Sequence, residues 1–225
     1  MVAGLTHLAL ETKYLDPAVA FYREHLHLST IEESATEVAL AAGETDLILR
    51  APSTVPRGGL HTHYAFATPA GEYAGWYDRL SEEFDLEEVT FGSAKSLYFY
   101  DIDGNCVEIG QRAEEGEGIT GIFELVLEVE SLDDAERFYR DLGFEVMDRG
   151  GERRRIRLTT GKFDLELWEP QLGLADARGG VHVDFGIEAD PEAALAAVED
   201  RVQKVEYLSD GVRVRDPDGH YLTFI

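Results

Sequence analysis

The chain has 225 residues, enough for one large hydrophobic core or two medium ones. It carries 45 acidic residues against 20 basic ones, a formal charge of -25, which argues against nucleic acid and anionic membranes as partners. A single cysteine, Cys106, rules out an intramolecular disulfide, and no apolar run is long enough to cross a bilayer. The composition predicts a cytoplasmic protein, and its acidic, lysine-poor character favours a high-salt cell.

The first predicted elements are a strand and a helix. The stretch Thr6–Glu11 is predicted to form a strand, in which successive side chains lie on opposite sides. Leu15–Tyr22 follows with an acidic residue and a proline in its first turn and with helical spacing of its apolar residues. Short alternating runs at Val38–Leu40 and Asp46–Leu49 predict further strands in hairpins. The pattern is one strand, one helix and about three strands.

The same pattern returns in the second half of the chain. Phe123–Glu128 is followed by Leu132–Tyr139, and the spacing from Glu124 to Tyr139 equals that from His7 to Tyr22. The two stretches therefore read as copies of one unit, a duplication rather than a solenoid.

A second pair of copies completes each half. Gly58–Phe66 aligns with Gly179–Ile187, and a helical pattern follows each stretch. Both halves close on an Asp-Gly turn between two strands, at Tyr100–Asn105 and at Arg215–His220. The chain is thus predicted to contain four βαβββ modules in an α+β fold.

The acidic, glycine-containing stretch Glu114–Gly118 marks the joint between the halves. We predict an N-terminal domain over 1–113, with modules at about 3–52 and 58–112. The C-terminal domain is predicted over 118–225, with modules at about 120–170 and 179–225. Each domain is expected to form one half-barrel.

These motifs resemble those of the vicinal oxygen chelate superfamily, which contains glyoxalase I, bleomycin-resistance proteins and type I extradiol dioxygenases. The resemblance lies in the strand openings His-x-Ala, the helix ends Phe-Tyr and the closing phrase Asp-x-Asp-Gly-Asn-x-x-Glu at Asp101–Glu108. It covers nearly the whole chain, from about Gly4 to Ile225. It implies two tandem half-barrel domains of the glyoxalase type.

The resemblance also implies a divalent-metal site formed by His7, His63 and Glu108. Two imidazoles and one carboxylate with vacant positions are typical of non-haem iron sites that bind substrate and dioxygen together. Fe(II) is therefore the expected metal, and the same ligands accept Mn(II) or Zn(II). The superfamily brings first strands of two modules and the last strand of the second onto one face, where these residues are expected to meet.

Two further residues are candidates for catalysis. Tyr98 stands ten positions before Glu108, where extradiol dioxygenases have a tyrosine that hydrogen-bonds the substrate, although a packed strand aromatic gives the same pattern. The acid-base histidine expected upstream falls among Val89–Phe91, and none of these residues transfers protons. His61 lies two residues before His63 and is a candidate acid or base, although His182 occupies the matching place in the other half.

The C-terminal half is predicted to lack the metal. Along the repeat, Glu124 replaces His7, Asp184 replaces His63 and Thr223 replaces Glu108, which leaves no imidazole. We therefore expect this half to be a structural partner.

The function that the resemblance implies is ring cleavage of a vicinal diol or similar bidentate oxygen substrate with O2, as in catechol 2,3-dioxygenase-like enzymes. One alternative is a glyoxalase-like metal-dependent lyase or isomerase, which uses no O2. The other is a non-catalytic ligand-binding protein of the bleomycin-resistance type. The expected partners are a small-molecule substrate and O2, with no nucleic acid and no membrane. The sequence does not decide whether the chain forms a homo-oligomer.

Overall fold

The computed structural model describes residues 2–52, 63–112, 115–152, 154–169 and 184–225. The first module contains β1 (Leu5–Glu11), α1 (Leu15–His25), β2 (Ser29–Glu33), β3 (Glu37–Ala42) and β4 (Thr45–Arg50). The second contains β5 (His63–Pro69), α2 (Tyr73–Leu80), β6 (Glu87–Phe91), β7 (Ala94–Tyr100) and β8 (Cys106–Arg112). The third contains β9 (Gly121–Glu128), α3 (Leu132–Asp141), β10 (Glu145–Arg149), β11 (Arg155–Thr159) and β12 (Asp164–Trp168). The fourth contains β13 (Asp184–Ile187), α4 (Pro191–Val198), β14 (Lys204–Tyr207), β15 (Val212–Arg215) and β16 (Tyr221–Phe224).

This arrangement confirms the predicted α+β fold of four βαβββ modules. Local sequence explains where the elements begin. The Ser131 hydroxyl accepts a hydrogen bond from the amide of Asp134 at the start of α3, and the Asp190 carboxylate accepts one from the amide of Ala193 at the start of α4. In the strands, alternate residues are buried, as in β3 and β4, because one face of each strand packs against the helices.

In the described residues, sixteen strands form two sheets of eight. The first sheet has the order β14-β15-β16-β13-β1-β4-β3-β2 and is built from the first and fourth modules. The second sheet has the order β10-β11-β12-β9-β5-β8-β7-β6 and is built from the second and third modules. The central contacts are antiparallel, between β1 and β13 and between β5 and β9. Each sheet therefore takes one module from each half of the chain.

The observed pairing differs from the predicted division into domains 1–113 and 118–225, in which both modules of a half share one half-barrel. In the structure, modules of the same half meet through a buried hydrogen-bonded contact rather than along a strand edge. Tyr22 on α1 donates to Asp101 in the β7–β8 turn at 2.5 Å, and Tyr64 donates to the same carboxylate at 3.4 Å.

The second half repeats this contact. Tyr139 on α3 donates to Asp216 in the β15–β16 turn at 2.8 Å. The Phe-Tyr helix ends and the Asp-Gly turns that reveal the repeat in the sequence are therefore the groups that join modules within a half. The remaining edges of β1 and β5 pair with β13 and β9, strands of the other half.

The hydrophobic core lies between the helices and one face of each sheet. Leu97, Phe99, Val107 and Ile109 of the second sheet are fully buried on that face. The intervening residues of the same strands, among them Tyr98 and Glu108, point to the opposite face because side chains alternate along a strand. We call this opposite face of each sheet its open face.

Candidate functional site

A cavity of about 640 Å³ lies on the open face of the second sheet. Its charged end is lined by His63, Glu108, Glu124, Arg157 and Glu166, which come from both halves of the chain. A volume of this size suits a small-molecule ligand. The cavity is therefore the candidate functional site.

His63 and Glu108 are brought together here by two neighbouring strands. β5 and β8 run parallel, and Ala65, two residues beyond His63, is paired with Glu108. The His63 Nε2 atom lies 3.1 Å from Glu108 Oε2, and both side chains are largely shielded from solvent. His63 and Glu108, two of the predicted metal donors, are thus adjacent in the cavity.

Glu124 is the third group at this point, and it comes from the C-terminal half. Ala65 is paired with Glu108 on one side and with Glu124 of β9 on the other. Glu124 is buried, and its carboxylate lies 2.5 Å from a guanidinium nitrogen of Arg157. Burial, and then repulsion from Glu166 against the attraction of Arg157, raises the pKa of Glu124 to about 8.

Glu166 adds a further carboxylate on β12. Arg155 donates to one of its oxygens at 3.1 Å, and the indole nitrogen of Trp168 donates to the other at 2.8 Å. Arg157 also donates to Asp164 at 2.7 Å. The charged end of the cavity therefore combines a row of carboxylates with two arginines that partly compensate them.

Tyr98 lies beside the two predicted donors. Its ring is in edge contact with that of His63, with centroids 5.6 Å apart, and its hydroxyl hydrogen-bonds Glu108. Burial and the neighbouring Glu108 carboxylate raise the pKa of Tyr98 well above its ordinary value. The phenol is therefore a proton-bearing hydrogen-bond donor. The same causes raise the pKa of Cys106 to about 12, so its thiol is neutral.

The structure places His7 on the other sheet, so the expected set of His7, His63 and Glu108 is not assembled. β1 belongs to the first sheet, whereas His63 and Glu108 belong to the second. The physical reason is the pairing of β1 with β13, which puts His7 opposite Gly186. A side chain on Gly186 would overlap the imidazole, since an added Cβ atom would lie 2.2 Å from His7 Nδ1.

The open face of the first sheet around His7 is held by ion pairs. Asp184 accepts a hydrogen bond from Arg50 at 2.6 Å, and a guanidinium nitrogen of Arg213 lies 3.1 Å away. Thr223 donates to the other Asp184 oxygen at 3.1 Å. Burial lowers the pKa of His7, partly offset by the Asp184 carboxylate. On this face, therefore, two arginines are paired with the single carboxylate of Asp184.

Some of the site could be anticipated and some could not. The sequence repeat identifies Glu124 as the equivalent of His7 but predicts a half without metal around it. Arg157 and Glu166 were missed, although charged residues alternate along their predicted strands, a pattern that places charges on one face. His61 lies outside the described residues, so its role in catalysis stays a prediction.

The donor set at this site suits a hard divalent cation in its chemistry, with one imidazole and several carboxylate oxygens. In the described part of the chain, no group of three His, Cys, Asp or Glu side chains is already arranged to hold a metal ion. Two donors, His63 and Glu108, are in place, and the third, Glu124, is paired with Arg157.

Comparison with known proteins bears on these features directly. The family model described as Glyoxalase/Bleomycin resistance protein/Dioxygenase superfamily matches residues 4–109. The matched residues are the first two modules, so the N-terminal half of the chain is similar to this superfamily. Its members are mostly enzymes that use divalent metals and bind small-molecule substrates. In the described residues, no helix is long and apolar enough to span a bilayer.

Individual relatives cover either half of the chain or all of it. Metallothiol transferase FosB of Staphylococcus haemolyticus is 27% identical over 116 residues, which is 48% of this chain and 84% of that protein. A putative dioxygenase from Bacillus subtilis has a TM-score of 0.77 at 18% identity, covering 99% of this chain and 84% of that one. Glyoxalase I from Zea mays has a TM-score of 0.70 at 17% identity, covering 98% and 91%. The two structures show that the fold is shared.

The raised pKa of Glu124 predicts a measurable pH effect on the metal-free protein. Between the unfolded value near 4.5 and the folded value of about 8, the folded carboxyl keeps a proton that the unfolded chain releases. The free energy of unfolding of the wild type, relative to Glu124→Gln, should therefore fall as pH rises through this window. The slope should reach up to about 1.4 kcal/mol per pH unit.

Denaturant unfolding with a chelator present, at several pH values in this window, measures that difference. Glu188→Gln is the control, because Glu188 is exposed in its pair with Lys162. Parallel pH profiles for wild type and Glu124→Gln would contradict the prediction.

Proposed function

We propose that this chain is a divalent-metal-dependent enzyme whose active site is the cavity of the second sheet, with His63, Glu108 and Glu124 as the metal donors. The observation that supports this most is the approach of His63 Nε2 to Glu108 Oε2 at 3.1 Å in a cavity that Glu124 also lines. When bound, a divalent cation supplies Lewis-acid polarisation of a substrate oxygen.

The donor set favours Mn(II) over the Fe(II) that two imidazoles would suggest. An Fe(II) facial triad of the dioxygenase type uses two histidines and one carboxylate. His63 is the one histidine among the described residues that line the cavity, and its partners Glu108 and Glu124 are carboxylates. Carboxylate oxygens suit Mn(II), which also accepts an imidazole.

The reaction that fits this set is conversion of a bidentate oxygen substrate without O2, in the manner of a lyase, isomerase or group transferase. Tyr98 would hold a substrate oxygen, because its half-buried phenol keeps its proton and its hydroxyl is beside Glu108. Arg157, which contacts Glu124 in this structure, would be released to face an anionic substrate group when a cation takes its place. The relatives named metallothiol transferase FosB support a metal-dependent transfer reaction.

Extradiol ring cleavage is the second candidate, and the placement of Tyr98 favours it. Tyr98 contacts His63 and hydrogen-bonds Glu108, as a substrate-orienting tyrosine of that class would. The two candidates differ in their use of oxygen. Ring cleavage consumes O2 during turnover, whereas the lyase, isomerase and transferase reactions do not.

The test is anaerobic reconstitution of the purified full chain with Mn(II) or Fe(II), followed by metal analysis. We expect about one equivalent of Mn(II) per chain, and Fe(II) should be retained as well, because a given set of donors generally binds Fe(II) more tightly than Mn(II). An oxygen electrode with a catechol panel then separates the two reactions. Less than roughly a few tenths of an equivalent of any transition metal would instead support a ligand-binding protein of the bleomycin-resistance type.

A further inference from the structure

The cavity of the second sheet has a second end, where the strand floor carries only small side chains. Beyond Tyr98 and Glu108, the register pairs Ser96 with Gly110 and Gly110 with Ala67. These three positions lie on the open face, two residues along each strand from the charged row. The cavity is therefore deeper at this end, because the side chains that rise from the strands are shorter than at the charged end.

Apolar side chains border this floor together with Arg112, whose guanidinium carbon lies 4.5 Å from the centroid of the Phe123 ring. The ring of Phe123 lies over Gly110, since a Cβ atom added to the glycine would come within 2.7 Å of the ring. Val89, Phe91 and Ala94 line the same cavity, and 57% of Phe91 is exposed. An exposed aromatic at the edge of a cavity is available for contact with a ligand.

The equivalent positions of the first sheet have different residues. Along the repeat, Thr6 stands in place of Phe123, and Ile225 stands in place of Gly110. The aromatic wall and the glycine floor are therefore not a general requirement of this fold. They occur on the sheet that carries His63 and Glu108.

We infer that the substrate is an amphipathic small molecule, with a pair of oxygens that bind at His63 and Glu108 and a flat, ring-sized apolar group that lies against Phe123. This inference rests on the proposed function, because the oxygen pair is assigned to the metal end. A cavity of about 640 Å³ holds both groups. Burying the ring removes apolar surface from water, which stabilises the complex.

Two hydroxamates test the inference on the Mn(II)-loaded full chain. Acetohydroxamate and benzohydroxamate both chelate through two oxygens and differ in a methyl against a phenyl group. We expect benzohydroxamate to bind at least about tenfold more tightly by isothermal titration calorimetry, which is about 1.4 kcal/mol. Equal affinities would contradict the inference that an apolar group binds against Phe123, but they would not contradict the proposed metal site.

Three substitutions locate the effect. Gly110→Ala displaces the Phe123 ring and should reduce the benzohydroxamate preference to about threefold or less, as should Phe123→Leu. The affinity for acetohydroxamate should stay within about twofold in both variants, which shows that they are folded and hold metal. Gly75→Ala is the matched control, because nothing lies within 4 Å of its Cβ position, and it should change neither affinity.

The remaining outcomes are also distinct. If acetohydroxamate does not bind but benzohydroxamate binds the metal-free chain in a manner sensitive to Gly110→Ala, the metal proposal fails and the apolar end is supported. If neither compound binds, both proposals are overturned. A preference that survives Gly110→Ala and Phe123→Leu unchanged overturns the assignment of the ring to this end.

Discussion

Replacing His63 by alanine is expected to abolish metal binding and turnover, whereas replacing His7 by alanine leaves both unchanged. His63 lies 3.1 Å from Glu108 in the cavity, and His7 lies on the other sheet. Loss of a direct ligand should weaken the affinity for Mn(II) by at least about a hundredfold, more than the loss of a supporting residue usually costs. Metal analysis after reconstitution and calorimetric titration of Mn(II) measure the difference.

The pair is a matched comparison, because the substitution is the same and both histidines open the first strand of a module. Circular dichroism of each variant checks that the sheets are formed. Equal loss of metal from His7→Ala and His63→Ala would contradict the assignment of the site to the second sheet. Full metal retention by His63→Ala would contradict the proposed function itself.

Replacing Asp184 by alanine is expected to lower the free energy of unfolding by about 3 kcal/mol without changing metal affinity. Asp184 is buried and is contacted by Arg50 and Arg213. Removing the carboxylate leaves two partly buried guanidinium groups facing each other without the anion between them. Breaking a buried pair in this way costs much more than losing an exposed one.

Denaturant unfolding of the metal-free protein measures the change. The control is Glu188→Ala, which removes an exposed carboxylate 3.5 Å from Lys162 and should cost less than about 1 kcal/mol. A loss for Asp184→Ala no larger than that of the control would contradict the structural role of the network. Unchanged Mn(II) affinity in Asp184→Ala would show that the open face of the first sheet takes no part in metal binding.

The fold class could be predicted from the sequence because local patterns repeat. The strand Thr6–Glu11 and its copy at Phe123–Glu128 are followed at equal spacing by helix starts at Leu15 and Leu132. These signals depend on a few neighbouring residues. They are sufficient to define the βαβββ modules.

The pairing of the modules could not be predicted, because it depends on contacts distant in the sequence. The free edges of β1 and β5 can pair with any similar strand, and four similar modules offer several partners. The observed pairs, β1 with β13 and β5 with β9, join strands that are far apart in the sequence. No local pattern shows that these strands meet.

The candidate site was therefore predicted in part. His63 and Glu108 are close together because they lie in one module, whose internal strand order follows from the repeat. His7 was expected beside them because the pairing was unknown, and Glu124 holds that place instead. The predictions of a cytoplasmic, high-salt setting, of O2 as a co-substrate and of no nucleic-acid or membrane partner stay predictions.

The exchange of modules between the two sheets affects how the chain folds as it is made. β1 needs β13 as its neighbour, and the ribosome synthesises β13 nearly the whole chain later. At a synthesis rate of about 5–20 residues per second, the edge of β1 stays unpaired for roughly 10–35 seconds before β13 is made. An open strand edge invites pairing with other nascent chains. Dense acidic charge on the emerging chain opposes such association by mutual repulsion.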